Sequence, residues 1–252
     1  MFPTIQIGPL SVQAPGLMLL LGLWLGLWLA ERHADRHGIT SDDLANLAFT
    51  VLLAGLAGGR LSYALQNIPA FAASPLDLLS LNPQIFDPWG AALVAAVAGL
   101  VFGQRKKLAL LPTLDALTPA LAVLAVGIGV SHLASGKAFG METGLPWAIE
   151  LWGARRHPAQ VYEIIGSLAT LGLLWPRKAD PHPAPGSAIL TFIALSAGWR
   201  LFLEAFRGDS TLLPGGIRLA QVVAWLVLAA ALWGLSITRK KNAQNQSPPR
   251  LL

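Results

Sequence analysis

Seven apolar segments dominate the chain, each parted from the next by a short run holding Pro, Gly or charge. They cover Val12–Ala30, Leu44–Leu65, Trp89–Phe102, Leu114–Ser135, Gln160–Trp175, Gly186–Phe206 and Ile217–Ile237. A helix needs roughly 20 mostly apolar residues to cross the hydrocarbon core of a bilayer, and most of these segments reach that length. The third and fifth are short, so they are expected to extend into flanking residues or to meet thinned bilayer. Helix is the expected state because an open strand edge cannot be satisfied in hydrocarbon. The alternating ten-residue pattern of an outer-membrane barrel is missing. Composition agrees: of 252 residues only 12% are charged and 54% are hydrophobic, against about a quarter charged in a soluble domain. The predicted fold is therefore all-α, a polytopic membrane protein of about seven transmembrane helices. The helical domain is expected over residues 1–238, and the polar, basic stretch 239–252 is expected to be a disordered tail.

Basic residues orient such a bundle, because Lys and Arg collect on the cytoplasmic side. Arg32, Arg36, Arg105, Lys106, Lys107, Arg177, Lys178, Arg239, Lys240, Lys241 and Arg250 fall on one side, eleven of the eighteen Lys and Arg residues. Assigning that side to the cytoplasm puts the N-terminus outside and the C-terminus inside. Residues 1–11 hold no Lys or Arg, so the first segment does not read as a signal peptide with a basic leading region. The remaining seven, Arg60, Lys137, Arg155, Arg156, Arg200, Arg207 and Arg218, fall at the outer ends of helices or in outer loops. Snorkelling accounts for any one of them. Seven together, on the side that normally sheds positive charge, point to an anion site at the outer leaflet. The net charge of +5 calls for lipid headgroups rather than nucleic acid, because the basic residues are spread among apolar spans.

The chain has no Cys, which removes disulfides and thiolate catalysis by the protein itself. Any thiol chemistry would have to use a thiol on the substrate. No cluster has metal-ligand spacing, no nucleophile elbow occurs, and no cofactor is called for. Arg200, Glu204 and Arg207 close the sixth segment at i, i+4, i+7, a spacing that stacks them on one helical face. They read either as a structural ion triad or as a carboxylate that orients one Arg while the other grips a phosphate. Gly55 and Gly59 form a GxxxG pair that lets another helix approach closely, with Arg60 and Tyr63 just beyond. The fourth segment ends in a Gly-rich run holding Ser131, His132 and Lys137, suited to lining a polar cavity. In the outer loop, Pro158 suits the first position of a helix. His157 then precedes that helix as a possible proton acceptor, beside Arg156, Gln160 and Glu163. A transporter would call for an inverted repeat or paired broken helices, and neither is visible.

Several of these runs, in this order and spacing, resemble the prolipoprotein diacylglyceryl transferase family. They are Gly58-Gly59-Arg60, Gly136-Lys137-Ala138-Phe139-Gly140 through Leu145-Pro146-Trp147-Ala148, Arg156-His157-Pro158-Ala159-Gln160-Val161-Tyr162-Glu163, and Gly198-Trp199-Arg200 to Arg207. The likeness extends from Gly8-Pro9-Leu10 to the last segment. It implies a bacterial inner-membrane enzyme that moves diacylglyceryl from phosphatidylglycerol to the lipobox cysteine of a preprolipoprotein and releases glycerol phosphate. By this resemblance Arg60 and Arg200 handle lipid and phosphate, with Glu204 and Arg207 in support. Arg200, His157 and His132 are the catalytic candidates. Arg60, Tyr63, Arg156, Gln160, Glu163, Glu204, Arg207 and Lys137 are the substrate-binding ones.

The chain also departs from the family pattern. Pro15-Gly16 stands where the family has Tyr-Gly, and Trp89-Gly90-Ala91 where it has His-Gly-Gly. Gly129 or Val130, His132 and Lys137 stand where it has Arg, Asn and Glu. These differences carry the alternative expectation, a member that binds anionic phospholipid or lipoprotein without transferring anything.

Overall fold

The computed structural model describes residues 4–7, 10–79, 85–175 and 184–246. Gly8 and Pro9 of the family-like opening, and Arg177, Lys178 and Arg250 of the orientation argument, lie outside them. So does the last part of the expected tail.

Each apolar segment carries a helix: α1 (Ala14–Glu31), α2 (Ser41–Gln66), α4 (Pro88–Arg105), α5 (Leu110–Ser135), α6 (Ala159–Leu173), α7 (Ser187–Glu204) and α8 (Leu219–Gln246). A short α3 (Ile68–Ala73) follows α2. Five of them, α1, α2, α5, α7 and α8, are long and apolar enough to cross a membrane. Helix α6 has 15 residues, about 22 Å at 1.5 Å per residue, which falls short of a ~30 Å hydrocarbon core. Helix α4 holds Gln104 and Arg105 in its last turn.

The all-helical expectation omitted two small hairpins. One pairs β1 (Thr4–Ile7) with β2 (Leu10–Gln13). Pro15 sits in the first turn of α1, where its missing N–H costs nothing, so Val12 belongs to a strand rather than to the first helix. The other pairs β3 (Ile149–Leu151) with β4 (Ala154–Arg156). Its two turn residues, Trp152 and Gly153, have φ of 55° and 73°, the paired positive values that match a two-residue turn to the twist of its strands. At the far end α8 runs through Arg239, Lys240 and Lys241 to Gln246, past the expected boundary at 238. No Gly or Pro occurs between Ser236 and Gln246 to stop it.

Packing follows the small residues. Helix α1 lies along α5, and an added Cβ at Gly22 would sit 3.1 Å from the Cα of Gly127. Helix α2 lies along α4; Gly55 of the GxxxG pair faces Ala91 and Ala95 of α4, and Gly59 faces Phe86 just before that helix, a close approach of the kind the pair predicts. Helix α6 packs on α5 and α7, and α8 packs on α7. The α2–α4 pair touches α1 and α5 only sparsely, so it forms a lateral lobe beside the main bundle.

Side chains tie the helix ends together across the chain. Asp43 in the first turn of α2 pairs with Lys106 after α4 at 3.0 Å, which sets these helices antiparallel. Asp87 caps α4 by accepting from the Trp89 and Gly90 amides, at 3.1 and 3.0 Å, and also takes the Ser62 hydroxyl at 2.6 Å. The Ser62 bond, aided by those amides, holds its carboxyl below the usual carboxylate range. Asp115 of α5 is buried and reaches over to α7, accepting from the Gly186 amide at 2.6 Å and the Ile189 amide at 2.9 Å. It acts as an N-cap supplied by another helix.

Asp115→Ala is expected to leave two buried amides without an acceptor, at about 1–3 kcal/mol each. Thermal unfolding in detergent should show a clearly lowered midpoint, with Asp115→Asn, which keeps one acceptor, in between.

Candidate active site

The end of the bundle away from the Asp43–Lys106 pair holds two spaces that share a wall. The smaller, about 160 Å³, lies between α5, α6 and α7, and is lined by Ile128, Glu163, Ser167, Trp199, Arg200 and Arg207 among others. The larger, about 750 Å³, lies between α7 and α8, with Trp89 from the lateral lobe on its rim. Arg200 and Arg207 line both.

Arg200 and Glu204 occupy the last turn of α7. Arg200 Nη2 stands 3.1 Å from Glu204 Oε2; the arginine side chain is 40% exposed and the glutamate 1%. The approach is off the hydrogen-bonding direction, so neither carboxylate oxygen of Glu204 has a hydrogen bond among the described residues. A buried carboxylate in this setting needs its cation. The pair therefore fixes Arg200 at the cavity wall while most of the guanidinium remains open to a ligand.

Arg207 differs from the expectation of a single helical face. Helix α7 stops at Glu204, so the i+7 position falls in the following turn. Arg207 there grips Asp209 with two bonds, Nε to Oδ1 at 2.9 Å and Nη2 to Oδ2 at 2.7 Å. Its fork is already occupied. Sequence reasoning overlooked Asp209, although a carboxylate two residues from an arginine was the visible signal. It also left Arg218 out of the site. Arg218 Nη1 donates to the Glu204 carbonyl, to the Arg207 carbonyl at 2.9 Å and to Ser210 Oγ at 2.9 Å. One guanidinium thus holds the whole turn that carries Glu204 and Arg207.

Across the small cavity, His132 of α5 and Glu163 of α6 meet, with Nδ1 2.8 Å from Oε2. Gln160, fully buried, donates from Nε2 to the Lys137 carbonyl at 2.9 Å, and its Oε1 has no partner among the described residues. It holds the turn after α5, where Gly136 takes the left-handed conformation at φ 73°. Lys137 itself is exposed.

Arg156 is consumed by the loop between α5 and α6. Its guanidinium donates to the Leu151 carbonyl at 3.1 Å, the Gly140 carbonyl at 3.4 Å and Glu142 Oε1 at 3.1 Å. His157 packs its ring 5.2 Å from Phe206 and 6.3 Å from Tyr162, and its buried Nδ1 has no partner among the described residues. Pro158 is the N-cap of α6 rather than its first helical residue. Gly140 explains itself here, since a side chain would run into the His157 backbone. Arg60 and Tyr63 belong to the lateral lobe. Arg60 Nη1 donates to the Leu78 carbonyl at 3.3 Å, Tyr63 stacks edge-on to Phe71, and neither lines the two spaces that Arg200 lines.

These features define a multi-pass helical membrane protein with arginines and carboxylates walling a cavity at one end of its bundle. The family model for prolipoprotein diacylglyceryl transferase matches residues 3–237, and the chain belongs to that family. Curated relatives include the phosphatidylglycerol–prolipoprotein diacylglyceryl transferase of Bordetella parapertussis, 29% identical over 245 residues that cover 92% of each chain. That of Geobacter sulfurreducens is 28% identical over 247 residues, covering 94% of this chain and 95% of the relative. That of Corynebacterium glutamicum is 26% identical over 250 residues, covering 90% and 79%.

Arg218→Ala is expected to release the turn after α7. Hydrogen exchange should speed up at the Arg207 and Gly208 amides while the middle of α7 stays protected.

Proposed function

We propose that this protein transfers the diacylglyceryl group of phosphatidylglycerol to the lipobox cysteine thiol of preprolipoproteins, in the cytoplasmic membrane of a bacterium. The observation that carries the reading is the family match over residues 3–237, and the curated relatives are named for that reaction. In this reading the apolar segments make seven crossings, with the N-terminus outside and the C-terminus in the cytoplasm. Arg200, Glu163 and His132 then lie toward the outer leaflet.

The chemistry required is cleavage of a C–O bond whose leaving group is a phosphate monoester. Negative charge on the phosphate grows as that bond breaks, so the residue that helps most is a cation already in place. Arg200 meets this need, held from behind by Glu204 and facing the cavity with its remaining donors. Arg207, tied to Asp209, adds positive potential to the same wall without offering a free fork. Lys137, exposed in the turn after α5, receives the phosphate's approach. Arg60 and Tyr63 guide the lipid from the side of the lateral lobe. Arg156, Gln160 and His157 act by holding the outer loop and the start of α6 in shape.

Membranes containing the wild-type protein should lipidate a lipobox peptide when phosphatidylglycerol is supplied. Arg200→Ala should cut kcat/KM by about 100- to 1,000-fold at an unchanged melting temperature, with Arg200→Lys partly active. Absence of transfer by folded wild-type protein, where a relative works, would overturn the reading; so would full activity in Arg200→Ala.

A further inference from the structure

Phosphate handling makes no use of the contact between His132 and Glu163, which lies at the edge of the small cavity that Glu163 lines. We propose that His132 is the group that takes the proton from the acceptor thiol, with Glu163 as its positioning residue; this rests on the transfer reaction proposed above.

The geometry supports the assignment in three ways. First, the contact runs through Nδ1, 2.8 Å from Glu163 Oε2. A carboxylate there accepts the hydrogen bond from Nδ1–H and fixes the tautomer whose Nε2 carries a lone pair. Nε2 makes no hydrogen bond among the described residues. Second, His132 is neither a core nor a surface histidine, its side chain being 29% exposed and that of Glu163 21%. It lies one helical turn beyond Ile128, which lines the small cavity, and Glu163 lines that cavity too. Third, the opposing wall of this space, about 160 Å³, carries Arg200. Displacement at carbon needs nucleophile and leaving group on opposite sides of the reacting atom. Glu163 on the α6 wall, with His132 bonded to it at the α5 end of the cavity, and a phosphate-binding cation on the α7 wall suit that need.

The step balances without another reactant. Nε2 of His132 accepts the S–H proton, and the thiolate forms the S–C bond to the terminal glycerol carbon of the diacylglyceryl group. The C–O bond to phosphate breaks and its electron pair leaves on glycerol phosphate. The imidazolium, stabilised by Glu163, then gives its proton to that phosphate or to water. The other charged groups around the site are the Arg200–Glu204 and Arg207–Asp209 pairs on the α7 side, and Lys137 beyond the end of α5.

The test is the pH dependence of kcat/KM for a lipobox peptide with phosphatidylglycerol vesicles. Wild-type activity should rise with pH along a single acid limb. His132→Asn, which keeps a donor toward Glu163, should lower kcat about 100-fold or more and abolish that limb, with KM for phosphatidylglycerol and the melting temperature unchanged. Glu163→Gln should keep the limb but lower kcat about 10-fold or more, because the Nδ1–H tautomer is no longer enforced, and Glu163→Asp should restore much of the rate. A His132→Asn enzyme with the wild-type limb overturns the proposal, even if it is slower, since a structural tie would give that result. Should His132→Asn fail to fold, an undiminished kcat in Glu163→Gln overturns it as well. Inactive wild-type protein would instead sink the transfer reaction itself.

Discussion

In hydrocarbon every polar group must find its partner inside the protein, and this chain meets that demand at the ends of its helices. Asp115 reaches from α5 to the first amides of α7. Arg218 gathers carbonyls and a hydroxyl of the turn after α7. Each is a side chain from elsewhere in the chain that serves an end of α7, where backbone groups lack partners within their own helix. The end of the bundle that holds the two spaces draws on this, since Arg218 donates to the carbonyls of both Glu204 and Arg207.

The same constraint separates cations that can work on a ligand from those already committed. Arg156, Arg207 and Arg218 are engaged by carbonyls, carboxylates or a hydroxyl of the fold. Arg200 is paired on one side only and open on the other. An arginine held by one carboxylate keeps its orientation without losing the remaining donors of its fork. At the wall shared by the two spaces, the positive charge therefore divides into Arg207, which the fold occupies, and Arg200, which stays open.

Some of the site was legible from spacing alone. The i, i+4 step from Arg200 to Glu204 survives because both lie within one helix. Extending the same periodicity to Arg207 fails, because the helix ends in between, and a turn can bend Arg207 back onto Asp209. The GxxxG pair in α2 was legible for a similar reason, since small residues at that interval can only serve close approach. The pairing of His132 with Glu163, 31 positions apart, had no local signature. Nor did the setting of Arg60 on a lateral lobe, away from the walls that Arg200 lines.

What the sequence determined by itself was the solvent and the class of fold, because hydropathy over some twenty residues is a property of a segment and needs no neighbour to be read. It also carried the family, since motif runs persist in linear order. The tertiary structure alone decided which cations are free, which histidine has a carboxylate behind it and which helix end borrows its cap from another. Those outcomes depend on distances between residues far apart in the chain, and they follow from how the small residues let particular helices pack.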